Sequence, residues 1–276
     1  MSNSNKPGEQ PKSKGVLMFA RNSKLDYMRI AQHNCGLIKE HLQLPVAVIT
    51  DTKTRDESDT TMFDHVIMDN TEDTNKRVFY FNGESLSTPW INGSRSDAYD
   101  LTPFDRTLLL DADYLIMSNN YKKLFDLDIE FTCHYSVLDV TGQNLYNSDK
   151  RLNSYTIPMV WATAVLFDKC NFSENVFTMM KLVKEHWEYY SSLYQFNRKV
   201  FRNDFALSIA LHILGGYGTN TYSIPWALPT LTSRAKIIDY NERGIKYVYE
   251  KQKHNYVGRV RQDIHIMDKK SLVDFI

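Results

Sequence analysis

Phe104-Asp105-Arg106-Thr107-Leu108-Leu109-Leu110-Asp111-Ala112-Asp113 sets an apolar run directly before two carboxylates. Arg106 to Leu110 reads as a buried strand. In open α/β sheets, ligands gather at the carboxyl ends of strands, and Asp111 and Asp113 stand at such an end. If the backbone stays extended across Ala112, the two side chains share one side. Two close carboxylates repel unless a positive charge lies between them, and a hard divalent cation meets that need. The alternative is a turn whose aspartates cap nearby backbone N–H groups.

Working outward, Gly15 to Ala20 (GVLMFA) is a short apolar run suited to a buried strand. From Leu25 to Leu42 the apolar positions Leu25, Met28, Ala31, Cys35, Ile38 and Leu42 fall on one helical face. Pro45 ends that pattern, and Val46 to Thr50 reads as a second strand closing on Asp51. Strand, helix, strand in this order is a parallel βαβ unit. Asp64 to Met68, Phe131 to His134 and Met159 to Phe167 read as further strands, and the stretch before Asp105 as a short helix and turn. Phe177 to Tyr190 and Asn203 to Leu214 have helical spacing, the latter apolar almost all round and therefore buried, with Gly215-Gly216 as its stop. From Lys246 onward the pattern is irregular, with strand-like pieces such as Ile245 to Tyr249.

The 276 residues suit a single elaborated domain over 15–276, with a nucleotide-binding part to residue 117 and an acceptor side beyond it. Residues 1–14 are polar and read as a disordered tail rather than a signal peptide. The 33 basic and 33 acidic residues cancel, so net charge gives no general attraction to nucleic acid or acidic membrane. The charge is uneven: Arg234 to Arg261 holds eight basic and three acidic residues. Cys35, Cys133 and Cys170 are far apart and form no CxxC pair, which points away from a structural zinc or a disulfide framework. No run approaches the roughly 18 apolar residues that span a bilayer. The expectation is a soluble cytoplasmic enzyme, bacterial or made by a virus in its host.

The phrase Pro103, Asp105, Arg106, Leu108, Leu110 and Asp111-Ala112-Asp113 resembles the metal-site signature of the GT-A glycosyltransferases, in particular the glycogenin-like and galactosyltransferase-like group numbered family eight. The resemblance runs over about residues 15–265 and is sharpest around 95–117 and 158–216. It implies a GT-A type α/β fold: a Rossmann-like, mostly parallel central sheet flanked by helices, with a small acceptor-side subregion. It also implies sugar transfer from a nucleotide-sugar donor, with a uridine nucleotide as carrier, Mn2+ or Mg2+ as cofactor, retention of anomeric configuration and a glycan as acceptor.

Site residues follow from the same resemblance. Asp111 lies near sugar and ribose, and Asp113 binds the metal. The opening strand and its loop, here Phe19, Ala20 and Arg21 with Tyr27 nearby and Asp51 at the next strand end, hold base and ribose. Arg95 occupies the stretch where the family keeps a basic residue near phosphate and sugar, and a guanidinium grips phosphate at two points. Ala112 belongs to the same donor site. Trp161-Ala162-Thr163-Ala164 stands where the family has asparagine-alanine-glycine, so Trp161 is a stacking candidate and the sugar contact departs from the usual one. Asp204, opening the buried helix, corresponds to an acidic position facing the transferred sugar. Asp111, Asp204 and Arg95 are the expected catalytic side chains.

A late histidine completes the family's metal site, with a glycine and a lysine after it. Two positions qualify. His254 has Lys253, Gly258 and Arg259 around it for the diphosphate, and it is the favoured ligand. His265, between apolar residues, reads as a strand residue.

Three rival functions stay open. A nucleotidyltransferase would share the sheet and the aspartates, but Phe19-Ala20-Arg21-Asn22-Ser23 lacks the glycine-rich loop it needs. A non-catalytic carbohydrate-binding domain would explain the altered 161–164 stretch. A transferase acting on hydroxylated bases in DNA would need a basic stripe, which Arg234 to Arg261, with Tyr240, Tyr247, Tyr249 and Tyr256 interleaved, could supply together with Arg198, Lys199 and Arg202 if the fold joins the two segments. A P-loop NTPase is excluded by motif.

Overall fold

Val16, Leu17 and Met18 have no exposed surface, and Leu108, Leu109 and Leu110 have at most 1%. The two apolar runs lie side by side at the centre of the molecule, paired in parallel from Lys14↔Arg106 to Phe19↔Asp111. The computed structural model describes residues 12–70, 76–81, 84–89, 93–143, 157–196, 199–217, 223–251 and 254–276. Most of the expected N-terminal tail lies outside them.

In chain order, β1 (Lys14–Phe19), α1 (Tyr27–His41) and β2 (Val46–Thr50) make the expected parallel unit, extended by α2 (Thr52–Asp56) and β3 (His65–Met68). β4 (Lys76–Phe81) and β5 (Glu84–Pro89) form a hairpin. A 3₁₀ turn at Gly93–Asp97 leads through α3 (Ala98–Leu101) into β6 (Arg106–Asp111) and the short β7 (Tyr114–Leu115). After β8 (Phe131–His134), β9 (Val137–Asp139) and β10 (Trp161–Asp168) come α4 (Asn171–Glu185), α5 (Trp187–Leu193), β11 (Lys199–Val200) and α6 (Asn203–Leu214). β12 (Leu228–Leu231), β13 (Ala235–Asn241), β14 (Gly244–Lys251), β15 (His254–Val260), β16 (Ile264–Ile266) and α7 (Lys269–Val273) complete the chain.

The central sheet has the order β3-β2-β1-β6-β10-β8. Only β10 runs against its neighbours. This is the mostly parallel, helix-flanked sheet that the sequence predicts. A smaller sheet, β7-β16-β12-β9, joins the segment after the two aspartates to the end of the chain. Gly15 allows the close packing at the sheet's lower end: a Cβ there would lie 2.4 Å from the Phe104 ring. Arg106 is structural. Its guanidinium pairs with Asp168 at 2.7 Å and donates to the carbonyls of Phe125 and Leu127, both at 2.9 Å, at the end of β6 away from the aspartates.

Two expectations need correction. The helix expected across Phe177 to Tyr190 is two helices, broken at His186. The turn sets Trp187 against Phe196, Phe201 and Phe205, a burial that one straight helix would forgo. The region from Lys246 onward is an ordered antiparallel sheet, β13-β14-β15. Its signal is alternation: Ile245, Tyr247 and Tyr249 are buried, with Lys246 and Val248 between them. Among the described residues no helix is long and apolar enough to cross a membrane.

Behind β7 lies a buried polar chain. Tyr121 Oη is 2.9 Å from Tyr114 Oη and 2.6 Å from His134 Nε2, while His134 Nδ1 is 3.0 Å from the Trp226 carbonyl. Burial pushes the His134 imidazole down to about 3. That lies below its unfolded value of about 6.5. Its contribution is therefore complete above about pH 6.5 and is lost as pH falls toward 3, at about 1.4 kcal/mol per pH unit. Urea unfolding at pH 7 and pH 5 checks this: this residue should account for a loss of about 2 kcal/mol, and His134→Gln should flatten the slope by that amount. Equal slopes in the two proteins would contradict it.

Candidate active site

β6 delivers Asp111 and Asp113 at its carboxyl end, and the chain then turns sharply into β7. Asn34, buried on α1, holds that turn. Its Nδ2 donates to the carbonyls of Tyr114 at 2.8 Å and Ala112 at 3.3 Å, and its Oδ1 accepts from Ile116 N–H at 3.0 Å. The side chain thus ties the backbone on both sides of Asp113 to the first helix.

Each carboxylate has its own cation. Arg95 is buried, pairs with Asp111 at 2.8 Å, and donates to the Ala162 carbonyl. Lys269 Nζ, from the first residue of α7, lies 2.5 Å from Asp113 Oδ2. Burial raises the Asp111 carboxyl and Asp113 repels it further, while Arg95 opposes both. Burial would raise Asp113 too, but Lys269 and His265 outweigh it and hold that carboxyl well below the usual range. The neighbouring carboxylates are pushed in opposite directions, as functional pairs often are.

His265 Nε2 stands 3.7 Å from Asp113 Oδ2. Asp111, Asp113 and His265 each offer one ligand atom, all within 4.8 Å of one another. Two carboxylate oxygens and an imidazole nitrogen suit manganese or magnesium. His265 Nδ1 is buried with no hydrogen-bond partner among the described residues. The residues present therefore fit a divalent ion.

The favoured histidine was the other one, and here the structure differs. His254 is exposed at the start of β15, paired with Lys251 across the sheet, and does not join the aspartates. Gly258 and Arg259 lie on the same strand. A Cβ at Gly258 would strike the Tyr247 hydroxyl at 2.4 Å, and Arg259 pairs with Asp239 at 3.2 Å. Arg259 lines a separate cavity of about 620 Å³ with Trp226, Tyr247 and Asp263. Lys253 lies outside the described residues. The physical reason is the β13-β14-β15 sheet, which carries 254–260 off as a strand and leaves the turn into β16 to bring His265 and Lys269 to the site.

A cavity of about 420 Å³ opens beside Asp111, lined by Arg95, Trp161, Arg202, Asp204, His265 and Lys269 among others. Trp161 and Asp204 both face this cavity. β10 shifts register against β8 between Trp161 and Val165, and such irregularities re-aim backbone and side chains near sites. Here the Ala162 N–H donates to Asp204 Oδ1 at 2.9 Å. Arg202 reaches Asp204 at 2.6 Å and lies over the Trp161 ring, 5.7 Å from its centroid. Neither Arg202 nor Lys269 was singled out from sequence for the donor site.

The remaining residues lie toward the strand ends. Phe19 is level with Asp111, and Ala20 N–H bonds the Ile49 carbonyl at 2.9 Å. Arg21 is buried in an ion pair with Asp69 and donates to Ser94 Oγ at 3.3 Å. Asp51 caps α2 through Thr54 N–H at 2.7 Å. Arg21 and Asp51 therefore both have structural work. Tyr27 is half-buried; burial raises its phenol, Lys269 opposes this, and Asp113 and Asp111 add to it, so its hydroxyl shares their field.

No family model matches the chain, and no curated protein matches it. Among solved structures it is similar to the glycosyltransferase GlyE of Streptococcus pneumoniae TIGR4, at 11% identity and TM-score 0.42, over 78% of this chain and 46% of that one. It is similar to the galactosyltransferase LgtC in complex with donor and acceptor sugar analogs, at 14% identity and TM-score 0.45, over 71% of this chain and 70% of that one. The bifunctional glycosyltransferase WbbM matches at 10% identity and TM-score 0.41, over 78% and 39%. This chain thus spans less than half the length of GlyE and WbbM. At such identities and TM-scores the likeness carries no residue's role across.

Two outcomes test the geometry. Asn34→Leu should cost about 2 kcal/mol in urea unfolding, because Ile116 N–H is left buried without a partner. His265→Ala should weaken Mn2+ binding in the presence of uridine diphosphate by roughly 10-fold or more, with His254→Ala unchanged. The reverse order in manganese titrations would move the ligand.

Proposed function

We propose that the protein transfers a sugar from a uridine nucleotide-sugar donor to a glycan hydroxyl, with Mn2+ or Mg2+ as cofactor. The observation that carries this reading is the cluster of Asp111 with the buried Asp113 and His265 at the carboxyl end of β6, beside a cavity that also holds Arg95, Arg202 and Lys269. A bound divalent ion would supply charge neutralisation for the leaving nucleoside diphosphate. Asp111, Asp113 and His265 would hold it. Lys269 offers a point charge to the diphosphate. Arg95 holds Asp111 in place through its ion pair and its bonds to the β10 backbone, facing the reacting sugar. Asp204 is oriented by Ala162 N–H and Arg202, and suits the hydroxyls of the transferred sugar. Trp161 offers an apolar ring beside them. Fixed donors and charges aimed at the departing oxygen are the arrangement that lowers such barriers most. The uridine carrier, the glycan acceptor, retention of configuration and a cytoplasmic site of action rest on the family resemblance.

One element of the DNA-acceptor reading, the interleaved tyrosines, is mostly taken up by the fold. In the Arg234 to Arg261 stretch, Tyr247 and Tyr249 are buried and Tyr240 bonds His33 at 2.7 Å, leaving Tyr256 as the exposed ring of the four. The interleaved aromatics mostly serve the fold rather than a base-stacking face.

Donor hydrolysis with manganese, magnesium or chelator tests the reading. Activity should vanish in chelator, and Asp113→Asn should lower kcat/KM by about 100-fold or more. Full turnover in chelator, or a guanosine or cytidine nucleotide as the best ligand in a thermal-shift screen, would overturn it.

A further inference from the structure

The charged side chains of the site are paired off. The described acidic side chains lining the cavity are Asp111 and Asp204, with Asp113 beside them, and the basic ones are Arg95, Arg202 and Lys269, with His265 as a neighbour of Asp113. Each acid is matched by one base: Arg95 with Asp111 at 2.8 Å, Arg202 with Asp204 at 2.6 Å, and Lys269 with Asp113 at 2.5 Å. An open metal site normally keeps a surplus of negative charge for its ion. Here each carboxylate already has a cation beside it, and Asp113 Oδ2 has the Lys269 ammonium 2.5 Å away.

Of the two cations paired with the metal-site carboxylates, Lys269 is the freer to move. Arg95 is 2% exposed and is tied to the β10 backbone as well as to Asp111. Lys269 is 28% exposed and stands on a flexible four-carbon stem. A divalent ion arriving alone would meet that ammonium head-on and leave the site with two uncompensated positive charges. An ion arriving with a nucleoside diphosphate brings the missing negative charge and gives the ammonium another partner.

We propose that Lys269 makes metal binding conditional on the diphosphate: its ammonium, paired with Asp113, opposes an ion arriving alone and passes to the phosphates when metal and nucleotide enter together. This inference rests on the metal and nucleotide-sugar reading above, and it adds an exclusion role to a side chain that would otherwise only bind phosphate. The consequence is strong positive coupling between the two ligands. By linkage the same factor must appear in both directions, metal tightening nucleotide as much as nucleotide tightens metal.

Free manganese, followed by electron paramagnetic resonance during titration of the full chain, measures this without turnover. In the wild type, uridine diphosphate should tighten Mn2+ binding by roughly 100-fold. Lys269→Met keeps the stem and removes the charge. It should bind Mn2+ alone roughly 10-fold more tightly than wild type, while the coupling shrinks by a similar factor. Metal-alone affinity that is unchanged or weaker in Lys269→Met overturns the proposal and leaves Lys269 a plain phosphate ligand. If Lys269→Met does not fold, the wild type still decides: Mn2+ that binds as tightly without the nucleotide as with it overturns the exclusion. The underlying reading fails differently, through Mn2+ and uridine diphosphate together giving no binding that Asp113→Asn abolishes.

Discussion

Two aspartates at the end of a central strand, Asp113 buried and Asp111 partly so, cannot be left uncompensated, and much of the molecule is arranged around that constraint. A carboxylate taken out of water costs several kcal/mol unless paired and hydrogen-bonded. Asp111 and Asp113 follow a strand that has no freedom to move them, because Leu108, Leu109 and Leu110 are enclosed on both faces. The compensation comes from far along the chain in both directions. Arg95 reaches in from the turn before α3, and Lys269 from the last helix. Asn34, on the first helix, fixes the turn between them. The C-terminal segment is thereby held to the N-terminal sheet by the site itself as well as by β16 pairing with β7.

The same arrangement links stability to chemistry. Breaking one partner of a buried pair leaves an uncompensated charge, which costs more than the pair contributes. The β10 segment from Trp161 to Thr163 contributes largely through its backbone: Ala162 offers its N–H to Asp204 and its carbonyl to Arg95, and these groups do not depend on which side chain stands there. The register shift against β8 makes those groups available.

Much of the sheet and half of the site could be read from the chain. The β1, α1, β2 unit and β6 are continuous or periodic apolar runs, the strongest local signals there are. The aspartates stand out because charge rarely follows three leucines. The late residues were harder. His254 has Gly258 and Arg259 after it, but these belong to a strand whose register with β14 carries them elsewhere. His265 between Ile264 and Ile266 is indeed a strand residue, and alternation puts it on the opposite face from the two buried isoleucines, toward Asp113. Lys269 depends on a turn after β16 that no local pattern announces. Asn34 is hidden inside an apolar stripe between Ala31, Cys35 and Ile38, where a polar residue looks like an interruption rather than a clamp.

The central claim is that the divalent ion sits among Asp111, Asp113 and His265. Crystals grown with manganese and uridine diphosphate, measured at a wavelength where manganese scatters anomalously, would locate it directly. The account predicts one strong anomalous peak within bonding distance of Asp113 and His265, with the diphosphate against it and Lys269 turned onto the phosphates. A peak at His254, or nucleotide bound in the cavity with no peak beside Asp113, would contradict it.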